Sequence, residues 1–347
     1  MHNIDEMPAR LAAFLAAQEP GWRDVQVTSY EVMTGGYSRL LAKATVRHAG
    51  GEHTFVLRGD PPADRQLIHT DRAVEWDVLS AMHAQGVRVS APRYFDATGE
   101  HLGTKALVLE FCEATSLLPY LAGTGGDEHR EAADRLAEAA ATFHRIPVSA
   151  LPASLARPAS WDEYIGRRIH EWKATAEAHV ESLPILRFVA AWLDARRPPE
   201  VPLTLIHGDF QTTNLMRDPD GGLVILDWEL AQIGDPREDL GYFKAVAQAA
   251  GPDLTGIDVD AFCSRYCELT GLTAEQMNPA VLAYFLILGV IGTVRQLVEG
   301  GAGVARGDNK LMTSIFNLSS IMFGQMMWLQ ATRQLDQAFA AAPAPEA

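Results

Sequence analysis

The hydrophobic positions of the first hundred residues change from a helical to an alternating period. A three-to-four spacing over residues 11–15 predicts a short amphipathic helix. From Val25 onward the apolar residues alternate with polar ones and are rich in β-branched types, and two glycine pairs divide them into three runs. These runs predict three consecutive antiparallel strands. Apolar runs near residues 93–95 and 106–111 add two more strands, which gives a five-stranded sheet.

Helical patterns follow the third strand and dominate the rest of the chain. Asp71 is the expected N-cap of the first of these helices. After Glu113 the sequence is rich in alanine and helical, except between residues 203 and 229, where short apolar runs flank turn residues and predict a β-hairpin. The predicted fold class is α+β. A five-stranded antiparallel sheet with a helix occupies residues 1–112, and a larger, mainly helical part occupies residues 113–347.

Composition excludes several classes of protein. The 347 residues include 44 acidic and 29 basic side chains, a net charge of −15, which argues against binding nucleic acid through its phosphates. The longest apolar stretch, residues 281–294, falls short of the roughly 20 residues that a membrane span needs. The chain has only three cysteines and shows no targeting segment near its first residues. We therefore expect a cytoplasmic protein with neither nucleic acid nor membrane as partner.

The residues with the clearest chemistry lie in one polar loop and in the strand that follows it. Asp209 is followed five residues later by Asn214, and Asp227 comes directly after an apolar run. Carboxylate and amide oxygens are ligands that suit Mg²⁺. If the predicted hairpin folds back, Asn214 and Asp227 can hold the metal, and Asp209 can accept the proton of an attacking hydroxyl. This spacing matches the catalytic loop of kinases.

Three motifs resemble the aminoglycoside phosphotransferase family, which includes choline-kinase-like and acyl-CoA-dehydrogenase-associated branches. They are His207–Asp209 with Asn214, the run Ile225–Glu229, and the run Gly234–Leu240. The resemblance implies a protein-kinase-like fold with two lobes, ATP or GTP as the phosphoryl donor, and Mg²⁺. It also implies that the aspartate of the first motif is the catalytic base, and that Asn214 and the aspartate of the second motif are the metal ligands.

The same resemblance implies nucleotide-binding residues in the N-terminal part. Gly35, Gly36 and Ser38 lie between two predicted strands, where backbone N–H groups can approach phosphates, although a plain hairpin turn is the alternative. Arg58 ends the third predicted strand, where such folds commonly carry a lysine that grips the donor phosphates. Glu75 on the next helix is its expected carboxylate partner, and a solvent-exposed surface pair is the alternative.

The last predicted strand runs into the connector between the two lobes. The resemblance implies that the backbone of Glu110 and Cys112 binds adenine there, with Phe111 between them. Lys43, on the second predicted strand, is an alternative cation but is expected to face solvent. His207 is expected to support the loop rather than to act as a base.

These features predict an ATP- and Mg²⁺-dependent O-phosphotransferase whose acceptor is a hydroxyl group of a small molecule. The apolar helices predicted at residues 281–294 and 321–329 resemble those of the acyl-CoA-dehydrogenase-associated branch, and this resemblance implies a hydroxyacyl or other apolar alcohol as acceptor. A nucleotide-binding protein without catalysis is an alternative, and so is a protein kinase. Gly208 weakens the last of these, because protein kinases usually carry an arginine there. The sequence leaves the oligomeric state open.

Overall fold

The structure is a computed structural model of the chain. It describes residues 6–33, 40–60, 70–181, 183–249, 257–292, 294–295, 298, 329 and 332–333. The glycine turn predicted to bind phosphate, with Gly35, Gly36 and Ser38, lies outside the described residues. So does most of the predicted closing segment at 321–329.

The N-terminal strands form one five-stranded antiparallel sheet in the order β1-β2-β3-β5-β4, which confirms the prediction. Its strands are β1 (Gln26–Val32), β2 (Leu40–His48), β3 (Gly51–Gly59), β4 (Pro92–Asp96) and β5 (Ala106–Glu110). Helix α1 (Met7–Gln18) covers one face, where its apolar stripe packs on alternate residues of the strands. The buried side chains of this core include Leu11, Phe14, Ala44, Val46, Phe55, Leu57 and Val108. The opposite face therefore carries Arg58, whose neighbours in the strand point the other way.

Helix α2 (Arg72–Ala84) is the next element after β3, the strand that carries Arg58. The side chain of Asp71 accepts the backbone N–H of Ala73 at 2.9 Å, so Asp71 is the N-cap, as predicted. Glu75 lies in the first turn and is buried. The cap thus sets where the helix begins and which residue of its first turn faces inward.

The remaining elements are β6 (Thr115–Ser116), α3 (Leu117–Ala122), α4 (Asp127–His144), α5 (Trp161–Ala178), α6 (Ile185–Ala195), β7 (Thr204–Ile206), β8 (Leu215–Arg217), β9 (Leu223–Ile225), β10 (Gln232–Gly234), α7 (Arg237–Ala249), α8 (Val259–Thr270) and α9 (Pro279–Gly289). Single 3₁₀ turns lie at Val148–Ala150, Thr212–Asn214 and Trp228–Leu230. In the described residues no helix is both long and apolar enough to cross a membrane.

The chain forms two compact units. The first comprises residues 1–120, 149–155 and 213–231, so it includes the hairpin of β8 and β9. That hairpin is present where the sequence predicts it, and β8 also pairs with β6. The N–H of Ile225 donates to the carbonyl of Arg88 at 2.9 Å. The division into lobes at residue 112 stays a prediction.

The second unit comprises residues 121–148, 156–212 and 232–347. Within it, α5, α6 and α9 share a core that is rich in aromatic side chains, and β7 pairs with β10. Helix α7 approaches α9 closely at Gly241, where a Cβ atom would lie 2.5 Å from the carbonyl oxygen of Leu282. The segments that carry His207–Asp209 and the third motif therefore lie in a tightly packed helical unit.

Candidate active site

Arg58 lies at the centre of a buried ionic cluster in the first unit. Its Nε is 3.0 Å from Oε1 of Glu75, its Nη2 is 3.2 Å from Oε2 of Glu229, and it also pairs with Oδ1 of Asp227. Only 11% of its side chain is exposed. Burial lowers the pKa of the guanidinium, but Glu75 and Asp227 more than offset this, so the pKa of Arg58 is raised. Arg58 is therefore a permanent cation in this cluster.

A second arginine shares these carboxylates. Arg72 at the start of α2 pairs with Glu75 three residues later, and its Nε donates to Oδ1 of Asp60 at 3.0 Å. Its Nη1 is also 3.9 Å from Oε2 of Glu229. Together with Arg58 and its partners, the cluster contains two arginines and four carboxylates, a formal charge of −2. The excess of negative charge favours a further cation at the cluster's more exposed edge.

Asp227 follows β9 in a backbone conformation that residues other than glycine seldom adopt, with φ 65° and ψ 56°. Leu215 pairs with Ile225 in the hairpin, and the N–H of Leu226 donates to the carbonyl of Asn214 at 2.9 Å. The hairpin thus brings Asn214 and Asp227 to its same end. The structure therefore juxtaposes the two predicted metal ligands.

These two ligands fit Mg²⁺ by their chemistry. Mg²⁺ is often bound through one or two protein oxygens, with phosphates of the substrate completing its shell. Among the described residues, no group of three or more His, Cys, Asp or Glu is arranged to hold a metal ion. Cys263 and Cys267 lie on α8, and burial raises the pKa of Cys263 to about 12. The Cys263 thiol therefore keeps its proton at neutral pH.

In the second unit, Asp239 shapes the loop that carries Asp209. The Asp239 carboxylate accepts the N–H groups of His207 and Gly208 at 2.7 and 2.8 Å. The N–H of Asp209 in turn donates to Nδ1 of His207 at 3.2 Å. Nε2 of His144, at the end of α4, donates to Oδ2 of Asp239 at 3.1 Å. His207 is fully buried and so has the supporting contacts that the sequence suggests.

Two side chains hold the carboxylate of Asp209. Nε2 of Gln211 donates to Oδ1 of Asp209 at 2.6 Å. The hydroxyl of Tyr242 on α7 also hydrogen-bonds to Asp209. Burial raises the pKa of Tyr242, and the charge of Asp209 and their hydrogen bond raise it further, so the hydroxyl remains a donor at neutral pH. Asp209 is therefore oriented by two donors in addition to its own loop.

A separate buried network fixes the third motif. Nε and Nη2 of Arg237 donate to Asp235 at 2.8 and 2.7 Å, and its other N–H groups reach the carbonyls of Pro199 and Gln276. Nε1 of Trp161 donates to Asp235 at 2.7 Å. Neither Arg237 nor Asp235 is exposed. The third motif thus joins α5 and α7 through an ion pair whose guanidinium nitrogens and carboxylate oxygens all have hydrogen-bond partners.

The structure corrects the expectation for Lys43. Its side chain does not project freely into solvent. It is half-buried, and its Nζ lies 3.9 Å from the centre of the Phe111 ring. Glu110 directs its carboxylate to Arg93, while Sγ of Cys112 lies 3.6 Å from Oγ of Ser90. Neither side chain contradicts a backbone role for these two residues.

Sequence reasoning missed several contacts. Arg72 precedes Glu75 by three residues, so helical spacing places this pair on one face. Tyr242 lies 33 residues after Asp209, and no local spacing links them. Gln211 follows Asp209 by two residues. Such spacings identify neighbours along the chain but do not reveal their hydrogen bonds.

Alkaline pH is expected to destabilise the folded protein. Burial is the main cause that raises the pKa of Tyr164, Tyr242, Tyr266 and Tyr284 above the ordinary value. Above about pH 10 the unfolded chain loses these protons while the folded chain keeps them, so the free energy of unfolding falls as pH rises. We expect the thermal midpoint to decline from about pH 10 upward, and Tyr242→Phe to make that decline shallower. Thermal melts across this range test it, and a midpoint that does not change would contradict it.

The chain belongs to the phosphotransferase enzyme family, whose model matches residues 31–276. Among curated proteins, acyl-CoA dehydrogenase family member 11 of Gallus gallus is 29% identical over 313 residues. That match covers 83% of this chain and 39% of the relative. The chain thus spans less than half the length of the curated acyl-CoA dehydrogenase relatives that it matches.

Solved structures share the kinase-like fold. A candidate aminoglycoside phosphotransferase of Ralstonia eutropha has a TM-score of 0.68 at 21% identity, covering 94% of this chain and 98% of that one. LicA, a choline kinase from Streptococcus pneumoniae, was solved in complex with AMP. It has a TM-score of 0.58 at 15% identity, with coverages of 94% and 98%. The predicted protein-kinase-like fold is confirmed.

Proposed function

We propose that this protein is an O-phosphotransferase that moves the γ-phosphate of ATP or GTP to a hydroxyl group of a small molecule and uses Mg²⁺. The observation that carries the proposal is the pairing of Arg58 with both Glu75 and Asp227. Kinase-like enzymes need a cation on the third strand, its glutamate partner and a metal-binding aspartate in place together. Family membership supports the same reaction class.

In the proposed reaction Asp209 accepts the proton of the acceptor hydroxyl as its oxygen attacks the γ-phosphorus. A new P–O bond forms, the bond to the oxygen that bridges the β- and γ-phosphorus breaks, and the nucleoside diphosphate leaves. Gln211 and Tyr242 keep the carboxylate oriented. Asn214 and Asp227 would hold Mg²⁺, which when bound neutralises charge on the phosphates.

The nucleotide contacts are proposed for the first unit. Arg58 would bind phosphate oxygens, with Glu75 keeping its guanidinium in place, and the predicted turn with Gly35, Gly36 and Ser38 would add backbone and hydroxyl donors. The backbone of Glu110 and Cys112 would bind the base. The AMP complex of LicA supports a nucleotide site in this fold.

For the acceptor, a hydroxyacyl compound is the alternative to an aminoglycoside. Similarity to acyl-CoA dehydrogenase family members favours it over an aminoglycoside. The three cysteines are free, which supports the proposed cytoplasmic setting.

Release of ADP or GDP in the presence of Mg²⁺ tests the function. The acceptor panel comprises aminoglycosides, choline-like amino alcohols, macrolides and hydroxyacyl thioesters, with Asp209→Asn as the blank. We expect one class to stimulate release above the blank. Nucleotide binding without stimulation by any acceptor, and without incorporation of phosphate, would favour the non-catalytic alternative.

A further inference from the structure

Lys43 lies on the face of the sheet that carries Arg58. In the antiparallel register Lys43 is opposite Val56, and Val56 is opposite Leu109. Residues opposite each other point to the same face, and Arg58 follows Val56 by two residues. Lys43 is therefore in the row next to Arg58, about 7 Å along the strand direction.

Lys43 differs from Arg58 in the partners that its charge has among the described residues. Within the described part of the chain its ammonium makes no ion pair, whereas Arg58 contacts three carboxylates. Its one described contact is with the ring of Phe111, at 3.9 Å from Nζ to the ring centre. A half-buried ammonium that touches only an aromatic face retains donors for a ligand.

Phe111 fixes the place of this ammonium relative to the connector. The N–H of Phe111 donates to the carbonyl of Thr54 at 3.0 Å, which extends the pairing of β3 and β5 by one residue. Its neighbours along the chain are Glu110 and Cys112, whose backbone groups are proposed to bind the base. Lys43 thus lies beside the proposed base site, in the cross-strand row that also holds Val56 and Leu109.

We propose that Lys43 reads the base of the donor nucleotide and selects guanine over adenine. This inference rests on the proposed function, since it assumes that a purine binds along the backbone of residues 110–112. Lys43 is a specificity-determining residue in this account, and Phe111 holds its ammonium in position before the nucleotide binds.

The chemistry of the two bases gives the direction of the selection. Guanine presents two acceptors, N7 and O6, along one edge, whereas adenine presents the N7 acceptor beside the N6 amino donor. An ammonium has three donors and no acceptor, so it can bond to both guanine atoms but meets a second donor at adenine. One hydrogen bond from a charged group is enough to change affinity by about tenfold.

Binding of GDP and ADP, each with MgCl₂, tests this by calorimetry without any acceptor. We expect wild-type protein to bind GDP at least about tenfold more tightly than ADP. Lys43→Met keeps the length of the side chain but removes its donors, so it should weaken GDP about tenfold and bring the two affinities together. Lys43→Arg should keep the preference, and so should Lys105→Met, which removes an exposed lysine of the same unit.

The outcomes separate this inference from the proposed function. Base selection would be overturned if the wild type bound ADP more tightly than GDP. It would also be overturned if Lys43→Met left the ratio of the GDP and ADP affinities unchanged. Neither result would contradict nucleotide binding itself. Arg58→Met should weaken both nucleotides equally, because phosphates are common to them. Failure of the wild type to bind either nucleotide would overturn both proposals. Circular dichroism of each variant verifies that the fold is retained.

Discussion

Asp209→Asn is expected to lower kcat for phosphoryl transfer by about 10²–10⁴-fold while the affinity for nucleotide stays near the wild-type value. Asparagine has nearly the same shape as aspartate and can still contact Gln211 and Tyr242. It cannot accept the proton of an attacking hydroxyl. Steady-state rates with the acceptor found in the panel, together with calorimetric binding of the diphosphate, measure both quantities.

Asp220→Asn is the matched control. Asp220 lies in the exposed turn between β8 and β9, so the same chemical change there should leave kcat within about twofold. If Asp209→Asn retained wild-type turnover, another group would have to accept the proton. Equal loss of activity in the two variants would point to a general effect of the substitution.

Arg237→Leu is expected to reduce the free energy of unfolding by about 3–5 kcal/mol. The change leaves the carboxylate of Asp235 buried without its cation and leaves two carbonyl groups, of Pro199 and Gln276, without their donors. It also removes the contact of the guanidinium with the Phe285 ring, whose centre lies 4.4 Å away. Chemical denaturation measures the difference.

Two variants show whether burial causes this loss. Arg187→Leu removes an arginine whose pair with Glu177 is exposed, so it should cost less than about 1 kcal/mol. Asp235→Asn in the Arg237→Leu background removes the unpaired charge and should restore part of the stability. A loss no greater for Arg237→Leu than for Arg187→Leu would contradict the role given to the buried pair.

The fold could be predicted from sequence because its local signals agree with its packing. The alternating runs gave the strands, the Asp71 cap gave the start of α2, and the turn before Leu223 gave the hairpin. The periodicity could not predict which of the two units each segment belongs to. The hairpin belongs to the first unit through pairing with Thr115–Ser116, a contact more than ninety residues away in the chain.

The candidate site was predictable only in part. Motif spacing identified Asp209, Asn214 and Asp227, and strand position identified Arg58 with Glu75. Their roles remain proposals, although the structure brings Arg58 into contact with Glu75 and Asp227.

Other contacts depend on side-chain direction in three dimensions. Glu229 contacts Arg58 although 171 residues of chain separate them, and no local sequence pattern predicts that pair. The second strand of the sheet turns Lys43 toward Phe111, whereas a lysine on a strand is ordinarily expected at the surface. Register decides which face such a residue occupies, and register depends on the whole sheet.

Isotopic labelling of the donor shows directly whether the protein transfers phosphate to a hydroxyl group. Nucleotide labelled with ¹⁸O in the γ-phosphoryl group would be incubated with Mg²⁺, protein and the stimulating acceptor, and the products analysed by mass spectrometry. We expect the wild-type protein to form a phosphate monoester that carries the label on the acceptor hydroxyl, and Asp209→Asn to form none. Label found only in inorganic phosphate, with the acceptor unmodified, would contradict this expectation.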